Sequence, residues 1–205
     1  MILGFDHLAY NVNDTYATRR LLEADGWQMR FIEEAGPNHP HKKPLLSRFQ
    51  PLHDLAMFQH PEGWLPLELT NHGAPMAYEA PIEYRCDHIR LFTPKLEEDG
   101  IFYQQGLRFR PDGDMLKLSS PVPAWGCHLR LIGDESVTDY PLNASGYTCL
   151  AFLTNQLEAD QAKLIALGAR DAIMPFLADV NGKTLYIAIC RAPGGALVEL
   201  IQVRR

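Results

Sequence analysis

The sequence predicts an α+β protein built from a repeated β-α-β-β-β module, and three observations predict it. Similar strand openings recur three times, as Asp6-His7-Leu8-Ala9-Tyr10, Asp87-His88-Ile89-Arg90-Leu91 and Thr148-Cys149-Leu150-Ala151-Phe152. Each opening precedes a helical stretch that runs to a glycine. Each repeat then closes with a Gly/Pro turn and an alternating strand: HPEG before WLPLELT, PAWG before CHLRLIG, and APGG before ALVELIQ. Turn residues followed by period-two alternation are the signature of a closing strand. The modules are placed at 1–72, 85–135 and 145–205. A rival reading treats the middle segment as an irregular insertion, but its regular Asp87-His88 opening favours three modules.

Taken in order, the first helix lies in DTYATRRLLEADGW, with Asp14 as N-cap and Gly26 as C-terminal stop. The stretch EEAGPNHPHKKPLLSRF adds a loop to the first module. Its His39, His41, Lys42 and Lys43 are expected on a solvated surface, with a lid over a site as the alternative. His60 belongs to the HPEG turn. The second helix, in KLEEDGIFYQQGLRF, is weaker, because Gly100 costs about 1 kcal/mol relative to alanine. The third, in NQLEADQAKLIALGAR, takes Asn155 as N-cap and Gly168 as its stop. APMAYEAP and DESVTDYPLNASG are expected to join the modules.

Composition narrows the functions. The 205 residues, 46% hydrophobic and 21% charged, can bury one large core or two small ones. A net charge of -6 argues against nucleic acid, which calls for clustered Lys and Arg. No apolar run approaches the roughly 18 residues of a membrane span, and Asp6 and His7 interrupt the N-terminus too early for a secretory signal. A cytoplasmic protein with a small-molecule substrate is expected. Cys86, Cys127, Cys149 and Cys190 form no C-x-x-C pair and read as free thiols, the last three as small buried hydrophobes in strands.

Strand parity selects the residues that can carry chemistry. Leu67 and Leu69 share the face that packs on a helix, so Glu68 points the opposite way. The same argument applies to Arg130 between Leu129 and Leu131, and to Glu199 between Val198 and Leu200. His7, His88 and Cys149, each just ahead of an apolar strand residue, join that face. A carboxylate on a half-buried sheet is costly unless it is paired or metal-bound. Two histidines and one carboxylate leave open positions on a divalent ion, which can then polarise a carbonyl or activate oxygen.

These openings and closures resemble the modules of the vicinal oxygen chelate superfamily, which includes glyoxalase I, bleomycin resistance proteins and extradiol dioxygenases. The resemblance implies that two modules pair into a cupped mixed sheet with helices outside. It also implies that metal ligands come from the first and last strands of the paired modules. Carried over, His7 and Glu68 match a His and a Glu ligand, and His88 matches the His of a second module, where Arg130 replaces the Glu. In the third module Cys149 replaces the His and Glu199 matches the Glu. Pairing of the first two modules gives His7, Glu68 and His88, with Arg130 free to hold a substrate oxyanion; this option is favoured because neighbouring modules usually pair. Pairing of the first and third gives His7, Glu68, Glu199 and Cys149. Pairing of the second and third gives the poorest set, His88, Cys149 and Glu199.

The resemblance implies a lyase, isomerase, dioxygenase or thiol transferase using Fe, Mn, Ni, Zn or Co, with Glu68 or Glu199 also available as a base. Its alternative is a metal-free binding protein whose cup Trp64, Trp125, Tyr10 and Phe152 are available to line, although most of these aromatics are expected in the core. An odd module number leaves one half-cup unmatched, so a homodimer is also expected.

Overall fold

The computed structural model describes residues 1–73, 81–122 and 125–204. The expected join at 74–81 lies outside these apart from Pro81, as do Pro123 and Ala124 of the second closing turn, and Arg205.

Three modules of one topology are present. The first runs β1 (Ile2–Asn11), α1 (Thr15–Ala24), β2 (Gln28–Pro37), β3 (Leu52–Gln59) and β4 (Leu67–Asn71). A short strand β5 (Ile82–Tyr84) precedes the second module, which runs β6 (Ile89–Thr93), α2 (Leu96–Ile101), β7 (Arg110–Asp112), β8 (Met115–Leu118) and β9 (Cys127–Gly133). The third runs β10 (Gly146–Thr154), α3 (Leu157–Ala166), β11 (Phe176–Val180), β12 (Lys183–Arg191) and β13 (Leu197–Val203). In every module the last strand lies parallel to the first and the middle strands follow antiparallel. The register also repeats: Glu68 stands opposite Ala9, Arg130 opposite Arg90 and Glu199 opposite Ala151. His7, His88 and Cys149 each lie two residues before those partners, as their sequence alignment requires.

The pairing of modules differs from the favoured expectation. The first joins the third through antiparallel β1 and β10, giving an eight-stranded sheet in the order β11-β12-β13-β10-β1-β4-β3-β2. The second forms a separate five-stranded sheet, β5-β6-β9-β8-β7. The physical reason is visible at the edge of β6. There β5 already occupies the place that a partner's first strand would take. The second module instead turns its apolar face to the back of the large sheet, where Phe109 meets Phe152 with ring centroids 6.0 Å apart. Residues of all three modules, including Leu67, Leu129 and Leu200, form one hydrophobic core.

The helix signals divide. Asp14 Oδ1 accepts the Ala17 N–H at 2.9 Å, and Gly26 and Gly168 stop their helices with φ of +94° and +93°. Asn155 is not the cap of α3; that position is Gln156, while Asn155 Oδ1 accepts from the N-terminal ammonium at 2.9 Å. Gly100 does not break α2, which continues through a wider π turn over Phe102–Gly106. Among the described residues no helix is long and apolar enough to cross a membrane.

Candidate active site

Position on adjacent strands brings His7, Glu68, Glu199 and Cys149 to one face of the large sheet. Their flanking leucines face the helices on the other side. An irregularity in the β1–β10 register between Phe5 and His7 sets Asp6 beside the ring, and Asp6 Oδ2 lies 2.8 Å from His7 Nδ1. This contact orients the imidazole and turns Nε2 toward the carboxylates, the arrangement that primes a histidine for a metal. His7 Nε2 lies 3.4 Å from Glu68 Oε2 and 3.9 Å from Glu199 Oε2. Neither contact is a hydrogen bond, and Nε2 is buried without a hydrogen-bond partner. Nε2 therefore meets the two carboxylates as an ion pair without a hydrogen bond to either.

The electrostatics fit two acids sharing one base. Burial alone would lower the His7 pKa, but Glu68, the Asp6 hydrogen bond and Glu199 outweigh it and push it up to about 9. Burial first, and then the neighbouring Glu68, hold Glu199 above the usual carboxylate range, with Lys42 and His7 opposing. Burial and the same two glutamates raise the Cys149 thiol well above its ordinary value. Cys127, Cys149 and Cys190 are buried and Cys86 exposed, all four as free thiols.

His88 and Arg130 do not join this site. They lie on the outer face of the second sheet, where His88 Nδ1 meets Asp87 Oδ1 at 2.8 Å and Arg130 pairs with Asp114 at 2.6 Å. That polar face stands in solvent, with the Arg130 side chain 46% exposed. Three of the aromatics pack in or against the core, as expected for most of them. Tyr10 stacks on Tyr147, Phe152 packs edge-on against Phe5, and Trp64 stacks on His60 at 3.6 Å.

The loop expected in solvent is a strap across the mouth of the cup. A 3₁₀ turn at Pro40–Leu45 carries it from the first module to the third. His39 stacks on Phe176 with centroids 4.3 Å apart, and His41 Nδ1 lies 3.0 Å from the Met174 carbonyl oxygen. The Leu45 carbonyl accepts from Leu142 N–H at 2.7 Å, and Asn143 Oδ1 accepts from Ser47 N–H at 2.9 Å. Lys42 on this strap is close enough to Glu199 and Cys149 to act on their ionisation.

Sequence reading missed Asp6, Lys42, His53 and His72. The Asp-His pair at 6–7, repeated at 87–88, was the available signal for Asp6. The other three carry no local signal.

Comparison with solved structures places the fold. Methylmalonyl-CoA epimerase from Mycobacterium tuberculosis superimposes over 100% of this chain and 91% of its own, with a TM-score of 0.50 at 12% identity. This chain shares the epimerase's fold. That fold is α+β, with βαβββ modules paired into a cupped mixed sheet. Glyoxalase I from Zea mays also matches, at 22% identity over 97% of this chain and 67% of that one, with a TM-score of 0.41. A protein of Bacillus subtilis subsp. subtilis str. 168 assigned as a dioxygenase matches at 15% identity, over 100% and 64%, with a TM-score of 0.42. This chain therefore spans about two thirds of the length of the maize and Bacillus chains. No protein-family model matches the sequence, and no curated protein does.

Proposed function

We propose that this protein is a divalent-metal-dependent enzyme, a lyase, isomerase or dioxygenase, acting on a small oxygenated substrate held in the cup between the first and third modules. The observation that carries this reading is the cluster itself: His7 Nε2, buried and oriented by Asp6, faces the Glu68 and Glu199 carboxylates at 3.4 and 3.9 Å without a hydrogen bond to either. Among the described residues no group of three or more His, Cys, Asp and Glu side chains is already arranged to hold a metal ion. The donor chemistry nevertheless suits one: an imidazole nitrogen and the Glu68 and Glu199 carboxylates match Fe, Mn, Ni, Zn or Co. Such an ion would act as a Lewis acid toward substrate oxygens. Glu68 or Glu199 would also serve as the base that moves a proton beside them. His88 and Arg130 have no part in this proposal, because they lie on the other sheet. Four free thiols suit a reducing, cytoplasmic setting.

The test is metal content by mass spectrometry on untagged protein purified without chelator. Near-stoichiometric metal, lost in His7→Ala and Glu68→Ala, is the expected result. A chain that stays empty after reconstitution with each of the five ions would exclude the reading. It would leave a metal-free binding protein, which buried Cys149 at the fourth ligand position favours.

A further inference from the structure

We propose that His53 and His72, with Lys42 of the strap, form an oxyanion-binding subsite in the same cup, receiving a carboxylate or phosphate group of the substrate. The proposal rests on the cup being a substrate pocket and deepens that reading by naming a substrate class.

The sheet places the two histidines together. Thr70 follows Glu68 by two residues on β4 and stands opposite Leu55 of β3. Alternation then puts His72 and His53 on the face that carries Glu68. Their rings lie nearly parallel, with centroids 4.9 Å apart. Asn11 anchors this end of β4, its Oδ1 accepting from His72 N–H and Thr70 Oγ1 at 3.3 Å. His72 is 3% exposed, and both Nδ1 atoms are buried with no hydrogen-bond partner. Two adjacent unsatisfied nitrogens call for a ligand that can meet both.

The surroundings decide the sign of that ligand. Around His7 the fold supplies Asp6, Glu68 and Glu199. Around His53 and His72 the charge that acts is the ammonium of Lys42. Burial, and then Lys42, keep both imidazoles neutral, His53 down to about 3 and His72 well below its ordinary value. Lys42 lies over the Phe176 ring, its Nζ 5.9 Å from the centroid, and forms no ion pair among the described residues. Neutral imidazoles can present N–H donors, and an unpaired ammonium beside them repels a metal cation and attracts an anion. The same ammonium also acts on Glu199, so Lys42 lies between the histidine pair and the acidic cluster, where it can hold an anion that reaches the His53–His72 pair.

The experiment is long-range 1H–15N spectroscopy of the imidazoles in metal-free protein with chelator present, titrated with malonate, inorganic phosphate or choline chloride. Saturable shifts of the His53 and His72 Nδ1 signals with malonate are expected, weakened about tenfold or more in Lys42→Met and in His53→Gln. Choline should shift neither. Saturation by phosphate alone would support the subsite and identify its ligand as a phosphate. Native-like spectra that neither anion shifts, or equal affinity in Lys42→Met, would each overturn the proposal. Because chelator is present, anion binding by a protein that never retains metal would uphold the subsite while the enzyme reading fails.

Discussion

At the scale of the residue, His7 has the most measurable behaviour. Its pKa in the folded chain, about 9, exceeds the ordinary 6.5. The ion-pair stability it contributes is therefore complete below pH 6.5 and is lost as pH rises through 9. In metal-free protein, the urea midpoint of the native chain relative to His7→Gln should fall across that window. A difference that stays flat would remove Glu68 and Asp6 as its partners. Bound metal competes with the same proton and should flatten the profile. Much of this residue was legible in the sequence. Parity alone sends His7, Glu68 and Glu199 to one face, because apolar neighbours, Leu8, Leu67 and Leu69, and Val198 and Leu200, fix where the polar residue points. Lys42, His53 and His72 were not legible. Their roles depend on a ring stack between two strands and on a cation that arrives from a loop.

At the scale of the element, the strap is the clearest departure from expectation. Pro, His and Lys in sequence suggest a loop in water. Its anchors, Met174 and Phe176 of the third module and Leu142 and Asn143 of the segment leading into it, are far away in sequence, so no local pattern reveals them. Leu45, 2% exposed, is its buried foot. Leu45→Ala should cost about 2–5 kcal/mol in chemical denaturation, the range for emptying a core leucine site. It should also make the Lys42–Lys43 bond the first cut by trypsin, since Pro44 protects the bond after Lys43. Unchanged stability and cleavage would show that the strap is held by its backbone contacts alone. The helices divide by the same logic: Asp14 caps as read, because the cap is a local contact, whereas Asn155 is drawn to the N-terminus from the far end of the chain.

At the scale of the whole molecule, the module count was legible and the pairing was not. Repeated openings and closures mark each βαβββ unit, but which edges meet depends on what else can cover them. Three residues of β5 cover β6, so the unmatched half-cup predicted from counting is closed within the chain, and the counting argument for a dimer loses its basis. The second module is held at its far side by Asp99, which is fully buried and accepts from Thr93 Oγ1 at 2.6 Å and from Gly194 N–H at 2.9 Å. A Cβ on Gly194 would fall inside the contact radii of Thr93 Oγ1 and Asp99 Oδ2. Gly194→Ala should therefore destabilise the chain by about 1–3 kcal/mol, read as a lower denaturation midpoint. A wild-type midpoint would mean that this joint carries no strain.

The union of β1 with β10 across an intervening module also has a consequence for how the chain comes to exist. On the ribosome the first module is complete long before its partner strand has been made, and β1 remains an open edge while the second module is synthesised. An open edge invites the wrong partner. The β10 of a neighbouring nascent chain fits it as well as its own, so crowded refolding should yield exchanged dimers in which each cup is completed by the other polypeptide.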